Sequence, residues 1–182
     1  MARIRLVRHG EAAAGFSADH DPGLSDRGWQ QARAVADRLG PLGPMPLVTS
    51  PLRRTRQTAA PLAEAWGVTP RADARVAEIP SPTDDLAERG AWLSRAMAGT
   101  WADLGPDLAA WRDRLVQAVH ELAADTVVVT HFVAINAIVG RATGDDRVMS
   151  VAVDNCSVTT VDTADGTLTL VELGAAARTE AG

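Results

Sequence analysis

Residues 8–11 read Arg8-His9-Gly10-Glu11 and place an imidazole between a guanidinium and a glycine. Because like charges disfavour protonation, Arg8 should keep His9 neutral, and a neutral imidazole is a nucleophile. The planar fork of an arginine matches phosphate oxygens, and a glycine lets the backbone approach a ligand closely. The segment therefore predicts phosphate chemistry at His9. A half-buried histidine that only caps a strand would have the same local sequence.

A second basic segment, residues 50–56, reads Ser50-Pro51-Leu52-Arg53-Arg54-Thr55-Arg56. A serine followed by a proline predicts a helix N-cap and the first helical residue. Helix N-termini favour anions, and helical side chains lean toward the N-terminus. We therefore expect Arg54 to reach the same strand-end crevice as His9, whereas Arg53 and Arg56 should be solvated.

Lysine is absent, so all 18 basic residues are arginine. A P-loop and a pyridoxal phosphate site both need a lysine, and both are excluded. Recognition of a phosphate must therefore use arginine, histidine and backbone N–H groups.

Strands and helices are predicted to alternate along the chain. Hydrophobic patterns and turn residues predict strands at residues 3–7, 46–49, 126–130, 148–153, 157–162 and 168–173. They predict helices after Ser25, from Ser50 to Gly67, near residues 84–97, from residue 107 onward, and after His131 through about residue 141. Residues 68–79 should be extended. This order predicts an α/β fold with a mostly parallel central sheet and helices on both faces.

Two histidines directly follow predicted strands of this sheet. His9 follows the first strand, and His131 follows the β-branched run Thr126–Thr130. Because ligands bind outside the carboxyl ends of parallel strands, we expect both histidines at the mouth of one crevice. Residues 1–173 should form one domain with a small cap insertion at about 80–106, and residues 174–182 a flexible tail.

Taken in order, these motifs resemble the histidine phosphatase superfamily, which includes phosphoglycerate mutase-like phosphatases and mutases. The resemblance rests on the first tetrad, on Ser50-x-Leu52-x-Arg54-x-x-x-Thr58-Ala59, and on the buried strand that ends at His131. Leu24-Ser25-Asp26-Arg27-Gly28 and Asn155-Cys156-Ser157-Val158-Thr159 add to it. It covers nearly the whole chain and implies the same sheet between helices.

The resemblance also implies a role for each matching residue. His9 corresponds to the nucleophile that becomes phosphohistidine, and Arg8, Arg54 and His131 correspond to the phosphate pocket. Glu78 corresponds to the acid that protonates the leaving group, with Asp84 and Glu88 as nearby alternatives. The implied enzyme is a phosphomonoesterase that needs no metal and no cofactor, and its partner is a small phosphorylated substrate or a phosphoprotein.

Three departures bear on the reaction. Gly15 stands near the place where cofactor-dependent mutases resemble one another in an asparagine, the chain contains no tyrosine, and the cap is short. These departures favour hydrolysis over a phosphoglycerate mutase-like phosphotransferase, which remains the alternative. A non-catalytic phospholigand-binding module ranks third because all four basic site residues are intact. Phe132, in place of a glycine usual after the second histidine, is expected to narrow the site.

The composition is that of an ordinary globular protein with a net charge of −5, which gives no pull toward nucleic acid or anionic membranes. Arg3 and Arg5 interrupt the N-terminal segment, so we expect no signal peptide. A lone cysteine, Cys156, suits a reducing compartment, and a cytoplasmic location is expected. The sequence carries no signal for an oligomeric state.

Overall fold

The computed structural model describes residues 1–176 of the chain. Its strands are β1 (Ala2–Arg8), β2 (Leu47–Thr49), β3 (Arg71–Ala72), β4 (Thr126–Thr130), β5 (Val158–Ala164) and β6 (Thr167–Glu172). Its α-helices are α1 (Asp26–Leu39), α2 (Arg53–Trp66), α3 (Leu86–Met97), α4 (Pro106–His120) and α5 (Phe132–Thr143). None of the helices in this part of the chain is long and apolar enough to cross a membrane.

The strands form one sheet in the order β3-β2-β4-β1-β5-β6. The first four are mutually parallel, whereas β5 and β6 run antiparallel to their neighbours. In β1, Arg8 pairs with Thr130 of β4, so the two strands end side by side. The residues that follow them, His9 and His131, therefore leave the sheet at the same edge.

Helices cover both faces of the sheet, as the alternation along the chain predicted. On one face, Ile4 and Leu6 of β1 pack into a cluster with Leu115 of α4 and Ile135 of α5. On the other face, a second cluster joins the sheet to α1 and α2 and includes Val7, Val127, Val129, Val35, Leu39 and Leu62. The alternation along β1 sends successive side chains to opposite faces. Both clusters therefore pack against β1, the strand that ends at the site edge.

Helix α2 begins later than the sequence indicated. Leu52 is extended, with φ −68° and ψ 143°, so the helix starts at Arg53 rather than Pro51. Ser50 Oγ accepts a hydrogen bond from the Leu52 N–H at 3.2 Å. The Arg53 N–H donates instead to the carboxylate of Asp21 at 2.8 Å. A distant acid thus caps the helix in place of the expected serine.

Residues 148–153 do not form the predicted strand. They run as a loop whose backbone bonds to the buried side chain of Asn136 in α5. Its Oδ1 accepts from the N–H groups of Ser150 at 2.8 Å and Val151 at 2.9 Å, and its Nδ2 donates to the Val151 carbonyl at 3.1 Å. One side-chain amide satisfies the polar groups that a neighbouring strand would otherwise satisfy. Of the extended segment expected at 68–79, only β3 pairs in the sheet.

Two segments outside the sheet also matter for the domain organisation. The expected cap segment contains α3 and a 3₁₀ turn at Trp101–Leu104.

Residues 174–176, which we expected to begin a frayed tail, are hydrogen-bonded to the fold. The Gly174 N–H donates to Thr159 Oγ1 at 3.1 Å, and the Ala175 carbonyl accepts from the Asp154 N–H at 2.8 Å. The remainder of the expected tail, residues 177–182, lies outside the described residues.

Candidate active site

His9 leaves the end of β1 with a defined tautomer. Its backbone N–H donates to the Thr130 carbonyl at 2.9 Å, which ties it to β4. Its ring Nδ1 lies 2.7 Å from the Gly10 carbonyl oxygen. Since a carbonyl only accepts, the proton is on Nδ1 and the lone pair is on Nε2. Burial, followed by the nearby charges of Arg54 and Arg8, lowers the pKa of His9 to about 3. The imidazole is therefore neutral around pH 7.

The loop after His9 is packed tightly against the start of α1. A Cβ on Gly10 would lie 2.7 Å from the carbonyl oxygen of Gly28, and a Cβ on Gly28 would lie 2.1 Å from that of Glu11. Glu11 also accepts the Ser25 hydroxyl at 2.7 Å, and Ser25 Oγ caps the helix by accepting from the Gly28 N–H at 3.0 Å. The first motif and the Leu24–Gly28 motif therefore form one unit that needs both glycines.

Arg54 bridges the two histidines. As the second residue of α2 it is buried, at 7% exposure. Its Nε donates to Nε2 of His9 at 3.2 Å, and one of its terminal nitrogens donates to Nδ1 of His131 at 3.1 Å. The two imidazole rings are 5.2 Å apart and inclined by 64°. The expected approach of Arg54 to the strand-end crevice is thus seen in the structure, whereas Arg53 and Arg56 are exposed.

His131 is fully buried at the N-terminus of α5. Because its Nδ1 accepts from Arg54, a neutral ring carries its proton on Nε2. Burial, followed by the nearby His9 ring and the charges of Arg54 and Arg8, lowers the pKa of His131 well below its usual value. Within residues 1–176, Nε2 of His131 has no hydrogen-bond partner. A buried donor without a partner is costly, and here it lies beside the candidate nucleophile.

Glu78 lies in the loop before α3 and points to the N-terminus of α5. One carboxylate oxygen accepts from the Ile79 N–H at 3.0 Å, and the other accepts from the Val133 N–H at 3.3 Å. Burial raises the pKa of Glu78, although these N–H groups and the charge of Arg54 oppose the rise. Asp84 and Glu88, the alternatives, are both exposed.

Arg8 completes the polar floor. Its guanidinium donates to the Val153 carbonyl at 2.7 Å and lies 4.9 Å from the centre of the Phe132 ring. Burial lowers the pKa of Arg8. Phe132 therefore lies against Arg8 of the site. This position agrees with the expectation that the Phe132 ring narrows the site.

A cavity of about 570 Å³ brings Arg8, His9, Arg54 and Glu78 together. His131 is not in its lining, but Arg54, which donates to Nδ1 of His131, is. Asn155 does line it, and its Nδ2 donates to the His9 carbonyl at 2.8 Å. The sequence indicated Asn155 only as part of a motif, without a role. In the described part of the chain, no cluster of three or more histidine, cysteine, aspartate or glutamate residues could hold a metal ion.

Comparison with known proteins shows the family of the chain. Residues 4–176 match the model of the histidine phosphatase superfamily, branch 1, and the chain belongs to that family. It is 29% identical over 183 residues to the probable phosphoglycerate mutase GpmB of Erwinia tasmaniensis, which covers 89% of this chain and 85% of the relative.

Solved structures show the same fold. A mycobacterial glucosyl-3-phosphoglycerate phosphatase in complex with VO3 is 26% identical, covers 94% of this chain and 98% of its own, and superposes with a TM-score of 0.71. Bacillus stearothermophilus YhfR, at 19% identity, superposes with a TM-score of 0.77 over 93% of this chain and 95% of its own. The mostly parallel α/β fold predicted from the sequence is thus confirmed.

Proposed function

We propose that the chain is a phosphomonoesterase that hydrolyses a phosphoester through a phosphohistidine intermediate on His9. The observation that carries this proposal is the hydrogen bond that Nδ1 of His9 donates to the Gly10 carbonyl, at 2.7 Å. This bond leaves the Nε2 lone pair directed at Arg54 in a cavity that also contains Arg8 and Glu78. A neutral, oriented imidazole beside two guanidiniums suits attack on a phosphoryl dianion.

In the first step, Nε2 of His9 forms a bond to phosphorus while the bond from phosphorus to the ester oxygen breaks. Arg54 moves its Nε–H from the imidazole to a phosphoryl oxygen, and Arg8 holds another. The Nε2–H of His131, which has no partner within residues 1–176, is available for a third oxygen. Glu78, with its raised pKa, donates its proton to the departing alkoxide.

In the second step, water attacks the phosphorus of phosphohistidine. The Glu78 carboxylate takes a proton from that water, and the N–P bond breaks to release inorganic phosphate. His9 returns to its neutral form and Glu78 to its protonated form, so the cycle is balanced. Because Arg8 and Arg54 supply the positive charge, we expect no requirement for a metal.

Phosphotransfer to a second alcohol is the alternative reaction, and the name of the Erwinia relative favours it. Hydrolysis is favoured by a cap segment with one 12-residue helix, by Gly15 in the cavity lining, and by the absence of tyrosine from the chain. A mutase would convert one phosphoglycerate into its isomer without net release of phosphate. A non-catalytic module would bind phosphoesters without turnover.

The test is a panel of phosphomonoesters incubated with the purified protein in excess EDTA and followed by 31P NMR. We expect inorganic phosphate to accumulate from monoesters. Interconversion of phosphoglycerates without release would support the mutase, and binding without any product would support the module. Loss of activity in EDTA that a divalent ion restores would contradict the metal-free mechanism.

A further inference from the structure

One wall of the active-site cavity is apolar. It is formed by Leu93 and Met97 of α3, by Phe132 at the start of α5, and by Met149 in the loop after α5. The floor of the same cavity is polar and includes the side chains of Arg8 and Arg54. Since the floor would bind the phosphoryl group, the wall is left to contact the rest of the substrate.

The spacing along α3 places two residues of the wall side by side. Residues 93 and 97 are four apart and share one helix face. Met149 is 44% exposed and lies in the cavity lining. Methionine side chains are flexible and fill irregular gaps, so the wall can adapt to apolar groups of different shapes.

The charges around the cavity disfavour an anionic leaving group. In the described part of the chain, the arginines that line the cavity are Arg8 and Arg54, and both belong to the phosphate floor. The other titratable side chains of the lining, apart from His9, are the carboxyl groups of Glu11, Asp19 and Glu78 and the imidazole of His20. A carboxylate on the leaving group would lose water and find no arginine in the lining beyond the two of the phosphate floor, which is unfavourable.

Outside the lining, Arg27 lies 3.7 Å from a carboxylate oxygen of Glu11. Arg89 is a further cation near the cavity, and it is also engaged. It lies one turn before Leu93 on the same face of α3, but its guanidinium lies 4.2 Å from the centre of the Phe16 ring. It also contacts Nδ1 of His20 at 2.7 Å. These contacts hold Arg89 against the loop that follows the first motif, and Arg89 does not line the cavity.

The geometry points to a substrate class: phosphomonoesters whose leaving alcohol is uncharged and apolar, such as benzyl or longer alkyl phosphates. Esters with a carboxylate or a second phosphate on the leaving group are disfavoured. This inference rests on the proposed function and departs from the phosphoglycerate named in the relatives.

Benzyl phosphate and 4-carboxybenzyl phosphate form a matched pair for the test. They share the same benzylic ester oxygen as the leaving atom and differ by one remote carboxylate. We expect kcat/KM to be about tenfold or more higher for benzyl phosphate, the size of one unpaired buried polar group. Binding of the two corresponding phosphonates, measured by calorimetry, should show the same order without any turnover.

Two variants of equal charge locate the preference. Met149→Arg places a cation on the apolar wall at an already exposed position. It should reduce the discrimination between the two esters about tenfold, mainly through a lower KM for the carboxylate ester. Ser94→Arg adds the same charge at an exposed position of α3 outside the cavity lining and should leave the ratio unchanged.

The outcomes separate this inference from the proposed function. Turnover of both esters with equal or greater kcat/KM for the carboxylate ester would overturn the inference and leave the phosphatase proposal intact. Absence of turnover with every ester would overturn the proposed function. Binding of the two phosphonates would then still show whether the apolar wall disfavours the carboxylate, and equal or tighter binding of the carboxylate phosphonate would overturn the inference. Equal effects of the two arginine variants would show that net charge, rather than the wall, sets the preference, and would also overturn the inference.

Discussion

Asn155 and Thr58 hold the two ends of a single peptide unit, the one between His9 and Gly10. Asn155 Nδ2 donates to the carbonyl of this unit, that of His9, at 2.8 Å. The N–H of the same unit, that of Gly10, donates to Thr58 Oγ1 at 2.9 Å. The next peptide unit is held as well, because the Glu11 N–H donates to the Gln31 side chain at 2.8 Å. Its carbonyl, that of Gly10, accepts the Nδ1 proton of the candidate nucleophile.

This arrangement predicts that Thr58 positions the nucleophile without touching substrate. Thr58→Val keeps the shape but leaves the Gly10 N–H unpaired, so we expect kcat to fall about tenfold with little change in KM. Nitrogen-15 NMR should show a mixture of His9 tautomers. Thr58→Ser, which retains the hydroxyl, should restore both readouts. Full kcat and an unchanged tautomer in Thr58→Val would rule out the positioning role.

Neighbouring arginines at the start of α2 should differ sharply in importance. Arg54→Lys keeps the charge but loses the fork that joins the two histidines, so kcat/KM should fall about 10²-fold or more. Arg53→Lys, at an exposed position, should change kcat/KM little. Steady-state kinetics on one substrate decide the matter. Similar losses in both variants would mean that Arg54 does not bind the transferring phosphoryl group.

Glu78 should matter most for esters with poor leaving groups. Glu78→Gln should lower kcat/KM for an alkyl phosphate by about 10²–10⁴-fold, the usual contribution of a positioned acid. The loss should be much smaller for 4-nitrophenyl phosphate, whose leaving group hardly needs a proton. Glu88→Gln and Asp84→Asn, at exposed positions, serve as controls. If Glu78→Gln harms both substrates equally, Glu78 is not the acid.

The pH profile should carry the signature of the same carboxyl. An acid works only while protonated, so kcat/KM for an alkyl phosphate should fall as pH rises through the raised pKa of Glu78. His9, with a pKa of about 3, stays unprotonated over most of the acidic range and should not limit activity there. The measurement compares the native protein with Glu78→Gln on one substrate, which cancels ionisation of the substrate. A basic limb that persists in the variant would assign it to another group.

Much of the fold follows from local patterns in the sequence. The β-branched run of residues 126–130 forms β4 with all five side chains buried, and Asp165-Gly166 forms the predicted hairpin turn with positive φ at both residues. Residues 148–153 have a similar apolar pattern but no partner strand. Their backbone bonds to Asn136, a tertiary contact that periodicity cannot detect.

The candidate site was predicted to a similar extent. The parallel-strand rule brought His9 and His131 to one edge, and helix geometry brought Arg54 there. Thr58 and Gln31 were missed as supports of the nucleophile because their contacts, across 48 and 20 residues, depend on how α2 and α1 pack. Glu78 lies in a loop and was indicated by resemblance alone. The catalytic roles, the single domain with its cap and the cytoplasmic location remain predictions.

The most direct test of the mechanism is to trap the covalent intermediate. The protein is mixed with a fast-leaving phosphoester and quenched in alkali, which preserves phosphohistidine. Cleavage after arginine places His9 and His131 on separate peptides, residues 9–27 and 115–141. Mass spectrometric fragmentation then distinguishes His9 from His20 on the first peptide. His131→Ala serves as the matched variant and should still label at His9 while turning over slowly.

The predicted result is a phosphate group on His9 that appears within the first turnover and disappears when substrate is exhausted. His9→Ala should show neither the adduct nor turnover. Phosphate on the 115–141 peptide, or a His9→Ala variant that retains most of the activity, would contradict the mechanism.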